Sequence, residues 1–292
     1  MNENLGGFQP QQIQWYPGHM AKTRRLIEEN LKLIDVVVEI IDARIPSAGR
    51  NPSFNQILKS KPRLIVMNKS DLCDPKITDL WISYYAKQGI KVIPISCTTG
   101  SGINKISSSA QELVREKLER EQEKGRNRTL KLMMVGIPNV GKSSLTNRLA
   151  GKASTKTGDR PGVTRGKQWI RLRGDIELLD TPGILPPKFE NQNDAMKLAY
   201  TGAIKDDIIN TELLSYSLLE FLRDNYCTEL CTRYKLEGIE DMQGYEILEY
   251  IAKKRGFIIS KGEPDTERAA NIVLDEFRSC KIGKITLEKP EE

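Results

Sequence analysis

Histidine is almost missing from this chain. Of 292 residues only His19 carries an imidazole, so no site built on several histidines is available. A lone histidine is more often a packing or turn residue than a chemical one. His19 stands in WYPGHM, residues 15–20, as part of a Pro-Gly turn behind two aromatic residues. Cysteine is scarce as well: five residues at 73, 97, 227, 231 and 280, an odd number at irregular spacing. That pattern argues against a disulfide framework and for reduced thiols in a cytosolic protein. Cys227 and Cys231 are four apart and can share a helix face, but no further ligands surround them, so no zinc site is expected. Long apolar runs are absent too; none approaches the roughly 18 residues of a membrane span. The first fourteen residues, MNENLGGFQPQQIQ, hold neither a basic cluster nor an apolar centre. Neither a secretory signal nor an Arg-rich transit peptide is expected, and the expected location is the cytoplasm.

What is present reads as a soluble globular protein, with 38% hydrophobic and 29% charged residues. The length suits one large and one smaller domain. The net charge of +6 is modest, but its distribution is uneven. Between Lys152 and Gly174 the basic residues Lys152, Lys156, Arg160, Arg165, Lys167, Arg171 and Arg173 face a single acid, Asp159. Such a patch attracts phosphates or is simply a solvated basic face; charge alone leaves both open.

Three β-branched apolar runs open the chain: DVVVEIIDA (35–43), RLIVMNKSD (63–71) and KVIPIS (91–96). Each reads as a buried strand ending in a polar loop, with a helix over 79–88 between the second and third. The alternation predicts an α/β fold with a parallel sheet and loops at the carboxyl ends of its strands. Residues 104–128 form a charged, helical stretch. LKLMMVG (130–136) is another buried strand, and QWIRLRGDIELLDTPG (168–183) reads as a hairpin turning at Arg173–Asp175. From about Tyr200 the apolar period becomes helical. The division is an arm over 1–20, an α/β domain over 21–199, an all-helical domain over 200–280, and a mostly charged tail over 281–292.

GIPNVGKS (136–143) fits G-x-x-x-x-G-K-[ST] between a strand and a helix. Its glycines let backbone N–H groups curl round an anion, the helix N-terminus adds positive charge, and Lys142 reaches the β- and γ-phosphates. Asn139, Val140, Gly141, Ser143 and Ser144 complete this cradle, and the Ser143 hydroxyl suits Mg²⁺. DTPG (180–183) follows a strand. There Asp180 suits Mg²⁺, directly or through water, and the Gly183 N–H suits a γ-phosphate. In NKSD (68–71) the Asp71 carboxylate can accept from both the ring N–H and the amine of guanine, a pair adenine does not offer, which selects GTP over ATP. Asn68 ties loops together and Lys69 lies along the base, with Ser70 between Lys69 and Asp71. Ser96 and Cys97 follow the next strand, where the Cys97 N–H faces the guanine oxygen. In PGVTRG (161–166), Thr164 is the candidate that closes on Mg²⁺ and the γ-phosphate, as a switch does.

The motif set resembles that of translation-factor-type GTPases, but its order is rotated: NKSD and SC precede the P-loop. The strand at 35–43 opens the domain, and the charged linker 104–128 joins the old carboxyl end to the old amino end. With WYPGHM, DARIP (42–46) and the helical C-terminal part, the chain resembles the RbgA/YlqF family of circularly permuted GTPases, ribosome biogenesis GTPase A, over nearly its whole length. The resemblance implies a P-loop GTPase fold, circularly permuted, with a C-terminal all-α domain. It implies a GTPase that assists late assembly of the large ribosomal subunit, binds its RNA, is stimulated by the ribosome, and is monomeric when off it. Ile184 stands where many GTPases place a water-orienting glutamine. The resemblance gives that catalytic role to His19, whose imidazole can orient water near neutral pH. It also implies a potassium site at Asn139, and RNA contacts by Lys253, Lys254, Arg255, Lys281 and Lys284. Two rival readings are a GTP-gated RNA or protein clamp with incidental hydrolysis, and a P-loop kinase, which NKSD disfavours.

Overall fold

A computed structural model of the chain describes residues 18–126, 128–150, 168–172, 175–185, 191–206 and 209–291. Thr164, residues 1–17 and most of the basic segment 152–174 lie outside these, as do the side chains of His19, Met20 and Gln168.

The described strands form one six-stranded sheet. They are β1 (Val36–Asp42), β2 (Arg63–Asn68), β3 (Lys91–Pro94), β4 (Leu130–Val135), β5 (Gln168–Leu172) and β6 (Ile176–Asp180). The spatial order is β3-β2-β1-β4-β6-β5. Only β5 is antiparallel, paired to β6 through Ile170 opposite Leu178. The first strand of the chain is thus central, with every residue buried, which is why it reads as an unbroken apolar run rather than an alternating one. Its register on β2 sets Ile40 beside Val66 and Asp42 beside Asn68, so the DARIP and NKSD loops leave the sheet side by side.

The rotated order needs a junction, and Asp35 supplies it. One carboxylate oxygen accepts from Lys117 Nζ and Arg128 Nη2, both at 2.8 Å, and the other accepts from the Lys131 amide. The linker is two helices rather than one: α4 (Lys105–Glu112) and α5 (Arg115–Glu123) break at Leu113–Val114.

The remaining helices are α1 (Gly18–Asn30), α2 (Ser53–Ile57), α3 (Pro75–Lys87) and α6 (Lys142–Ala150), then α7 (Gln192–Tyr200), α8 (Thr211–Asn225), α9 (Cys227–Tyr234), α10 (Gly244–Arg255) and α11 (Thr266–Arg278). The helical unit therefore begins before 200: α7 packs on α8 and α11. Local chemistry sets the ends. Asp74 caps α3 ahead of Pro75, Asn210 caps α8 and Asp265 caps α11. Gly256 closes α10 in the left-handed region, where a Cβ is costly. Leu214, Leu218 and Leu222 run down one face of α8 into a core shared with Ile247, Ile251, Val273 and Phe277.

Two segments depart from the sequence reading. Gly18 and His19 do not form a turn; they open α1, which runs on past residue 20 and buries Thr23, Ile27 and Asn30. The tail after α11 is not a solvated end. Ile282, Ile285, Thr286, Leu287 and Glu288 are all buried.

Candidate nucleotide site

The P-loop joins β4 to α6. Asn139 and Gly141 both take positive φ, 58° and 96°, which bends the loop back before the helix starts. Asn139 also donates its side-chain amide to the Gly202 carbonyl at 2.7 Å, tying the loop to the end of α7. Lys142 is buried, and its amine donates to the Gly136 and Ile137 carbonyls of its own loop at 3.2 and 2.6 Å. Burial pulls this ammonium below its ordinary range, and the Asp180 carboxylate beside it pulls the other way.

β6 delivers DTPG against the same loop. Asp180 and Thr181 are fully buried, and Thr181 Oγ1 donates to the Met134 carbonyl. A Cβ on Gly183 would lie 2.8 Å from Pro138 N and 2.9 Å from Lys142 Nζ, so only glycine lets the two loops close. Ile184 follows, held on both sides: its amide donates to Gly136 O, and its carbonyl accepts from Asn51 Nδ2. A buried isoleucine clamped in this way neither fixes a water nor moves a proton.

The NKSD loop and the Ser96–Cys97 loop lie opposite. Asn68 Nδ2 donates to the Val140 carbonyl of the P-loop at 2.7 Å, and its Oδ1 accepts from the Cys97 amide at 3.0 Å. One side chain therefore joins all three loops, and Gly141 must be glycine because a Cβ there would lie 2.3 Å from Asn68 Nδ2. Lys69 is left-handed (φ 63°), and its ammonium pairs with Asp42 at 2.9 Å. Ser70 donates from amide and hydroxyl to Ile95 O, and Asp71 remains half-buried beside it. Ser96 is buried and caps the next turn at Thr99 N. Burial pushes the Cys97 thiol up to about 11, so the residue serves through its backbone rather than its sulfur. Ser143 and Ser144 sit half-buried in the first turn of α6.

Asp42, Asn51 and Gly202 escaped the sequence reading. DARIP was visible as letters, but nothing local shows that Asp42 pairs with Lys69. The contacts of Asn51 and Gly202 reach 133 and 63 residues along the chain.

These three loops carry the motifs expected of a guanine-nucleotide site, and comparison with known proteins places the chain among GTPases. A family described as "50S ribosome-binding GTPase" matches residues 131–233, from β4 into the helical unit. The chain is 48% identical over 283 residues to ribosome biogenesis GTPase A of Priestia megaterium, covering 96% of this chain and 98% of that one. This chain belongs to the ribosome biogenesis GTPase A family. The Thermotoga maritima member is 32% identical with 96% and 95% covered. Mitochondrial ribosome-associated GTPase 1 of Bos taurus is 33% identical with 94% and 88% covered. Among solved structures, GDP-bound TM YlqF gives a TM-score of 0.66 at 28% identity, covering 92% of this chain and 100% of that chain. GNP-bound YlqF from T. maritima gives 0.63. Family membership makes the chain a GTP hydrolase with a circularly permuted P-loop fold, of a kind that uses Mg²⁺. Among the described residues no helix is long and apolar enough to cross a membrane, and no cluster of His, Cys, Asp and Glu suits a metal of its own.

Proposed function

We propose that the chain hydrolyses GTP while assisting late assembly of the large ribosomal subunit, bound to that particle and its RNA, in the cytoplasm, and that it is monomeric when free. The observation that carries the nucleotide half is Asn68, which closes the P-loop on the two loops that read guanine. In this reading Asp71 accepts from the base, Lys69 lies along it, and the Cys97 amide meets its oxygen. The 139–144 cradle and the Gly183 amide hold the phosphates, and Lys142 leaves its own loop carbonyls for them.

The donors present suit Mg²⁺: a hydroxyl on Ser143 and the fully buried carboxylate of Asp180, with Thr164 as the third candidate. When bound, the ion supplies charge neutralisation at the phosphates. Asn139 keeps its side-chain oxygen for potassium while its nitrogen holds Gly202. His19 orients the attacking water, a task for which Ile184 has no chemistry; α1 anchors it through Ile27. The basic segment 152–173 and Lys253, Lys254, Arg255, Lys281 and Lys284 are the candidates for RNA.

Turnover of GTP with and without purified large subunits, in potassium and in sodium, tests this. Stimulation by the large subunit alone is expected. His19→Ala is expected to keep GTP affinity and to lose stimulated turnover by about a hundredfold or more, the usual range for an acid–base or water-orienting group. Salt-sensitive RNA binding with no stimulated turnover would instead mark a GTP-gated clamp.

A further inference from the structure

The segment after α11 leaves the helical unit and crosses onto the α/β domain, where it meets the residues just beyond NKSD. Ile285 N donates to Leu72 O at 3.2 Å, the residue following Asp71. Thr286 Oγ1 accepts from the Asp74 amide at 3.2 Å. Leu287 N donates to Arg44 O at 2.8 Å. The Glu288 carboxylate accepts from the Ser47 and Ala48 amides, and its carbonyl accepts from Trp81 Nε1 at 3.0 Å. On the other side Tyr226 of the helical unit grips the same segment twice: its hydroxyl donates to Thr286 O at 2.9 Å and accepts from Thr286 N at 3.1 Å.

A second connection runs beneath. Arg44 is 2% exposed and forks onto Asp42, with Nε to Oδ1 at 2.9 Å and Nη2 to Oδ2 at 2.7 Å. The same Asp42 oxygen, Oδ2, holds Lys69. The far side of the guanidinium stacks on the Phe277 ring, 5.5 Å from its centroid, and donates to Arg278 O. The order Lys69, Asp42, Arg44, Phe277 is thus a continuous path from the half-buried Lys69 of the NKSD loop through buried residues to α11.

We propose that residues 285–288 form a strap that, with Arg44, positions the guanine-reading loop, so that docking of the helical unit and retention of guanine nucleotide are linked. The proposal rests on the reading of NKSD as the guanine reader. Because coupling is reciprocal, a partner that lifts α11 or the strap from the α/β domain speeds release of GDP, and bound GDP holds the helical unit down. Thr286, Leu287 and Arg44 are positioning residues; none of them touches the nucleotide in this arrangement.

The test uses the full chain and a fluorescent methylanthraniloyl-GDP. Thr286→Val keeps the shape and removes the acceptor for Asp74; Arg44→Lys keeps the charge and removes the fork. Each is expected to speed GDP dissociation by about threefold to tenfold, with kcat at saturating GTP unchanged. In a Lys69→Ala background the effect of Arg44→Lys is expected to vanish, since the two act through one path. Asp42→Asn repeats the measurement where Arg44→Lys does not fold. Unchanged dissociation in folded variants, or an Arg44→Lys effect of equal size with and without Lys69, overturns the strap. The underlying reading is checked apart: Asp71→Asn is expected to exchange GDP preference for xanthosine diphosphate. If it does not, NKSD is not the guanine reader, whatever the strap variants do.

Discussion

Asn68 has one amide group and one carbonyl oxygen, and each closes a different loop. Replacing it with alanine leaves Val140 O and Cys97 N without their partner, and a buried polar group so abandoned costs about 1–3 kcal/mol. Asn68→Ala is expected to weaken GDP binding by at least about tenfold, from the 1.4 kcal/mol that a factor of ten represents, in a calorimetric titration of the purified chain. Asn68→Asp is expected to do no better, because a carboxylate cannot donate to Val140 O. The letters N-K-x-D are legible in the sequence because guanine recognition imposes them locally. The partner of Lys69 is not: Asp42 lies 27 positions earlier in a motif whose spelling gives no hint of what it pairs with. Burial beside two cations sets Asp42 apart chemically, since Arg44 and Lys69 together overcome the desolvation and hold its carboxyl well below the usual range.

Among the elements, α8 carries the helical unit, touching α7, α9, α10 and α11. Leu218 lies fully buried at its centre. Leu218→Ala is expected to cost about 2–5 kcal/mol, read as a lower urea midpoint by circular dichroism. Elements with a strong period were legible: β1, β2 and β4 as apolar runs, the β5–β6 hairpin, α8, α10 and α11. The misread ones had local signals that pointed elsewhere. Pro17-Gly18 spells a turn, yet Pro is at ease just before a helix, and Thr23, Ile27 and Asn30 recur at helical spacing on the α1 face that meets the core. The closing stretch KITLEKP has three charged residues among seven and reads as a mostly charged tail. Residues 285–288 are all buried against the α/β domain, and the Ser47 and Asp74 amides that bind them lie over 200 residues away.

At the scale of the whole molecule, two carboxyls respond to pH in opposite ways. Burial pushes Glu288 above its ordinary value despite Lys197 and the two backbone donors. Its raised value in the folded state means stability is gained as pH falls through it and is complete below the unfolded value. Asp42 is depressed, so its contribution is present above its ordinary value of 3.8 and is lost as pH falls below that toward the folded value. Melting temperature is therefore expected to rise as pH falls toward the ordinary Glu288 value of 4.5 and to fall below about pH 4. Glu288→Gln, measured in the same thermal scans, is expected to flatten the rise and leave the fall. A rise of equal size in Glu288→Gln would show that another group causes it.

The strap also sets an order in time. Ser47 and Glu288 are 241 positions apart, and the guanine-reading loop leaves the synthesising ribosome long before the P-loop it must meet. The segment that steadies it follows later still. A nascent chain halted near residue 280 holds every nucleotide-binding letter and lacks the clasp. Such a chain is expected to exchange nucleotide quickly, and the long closure makes the clasp a slow, late event in folding.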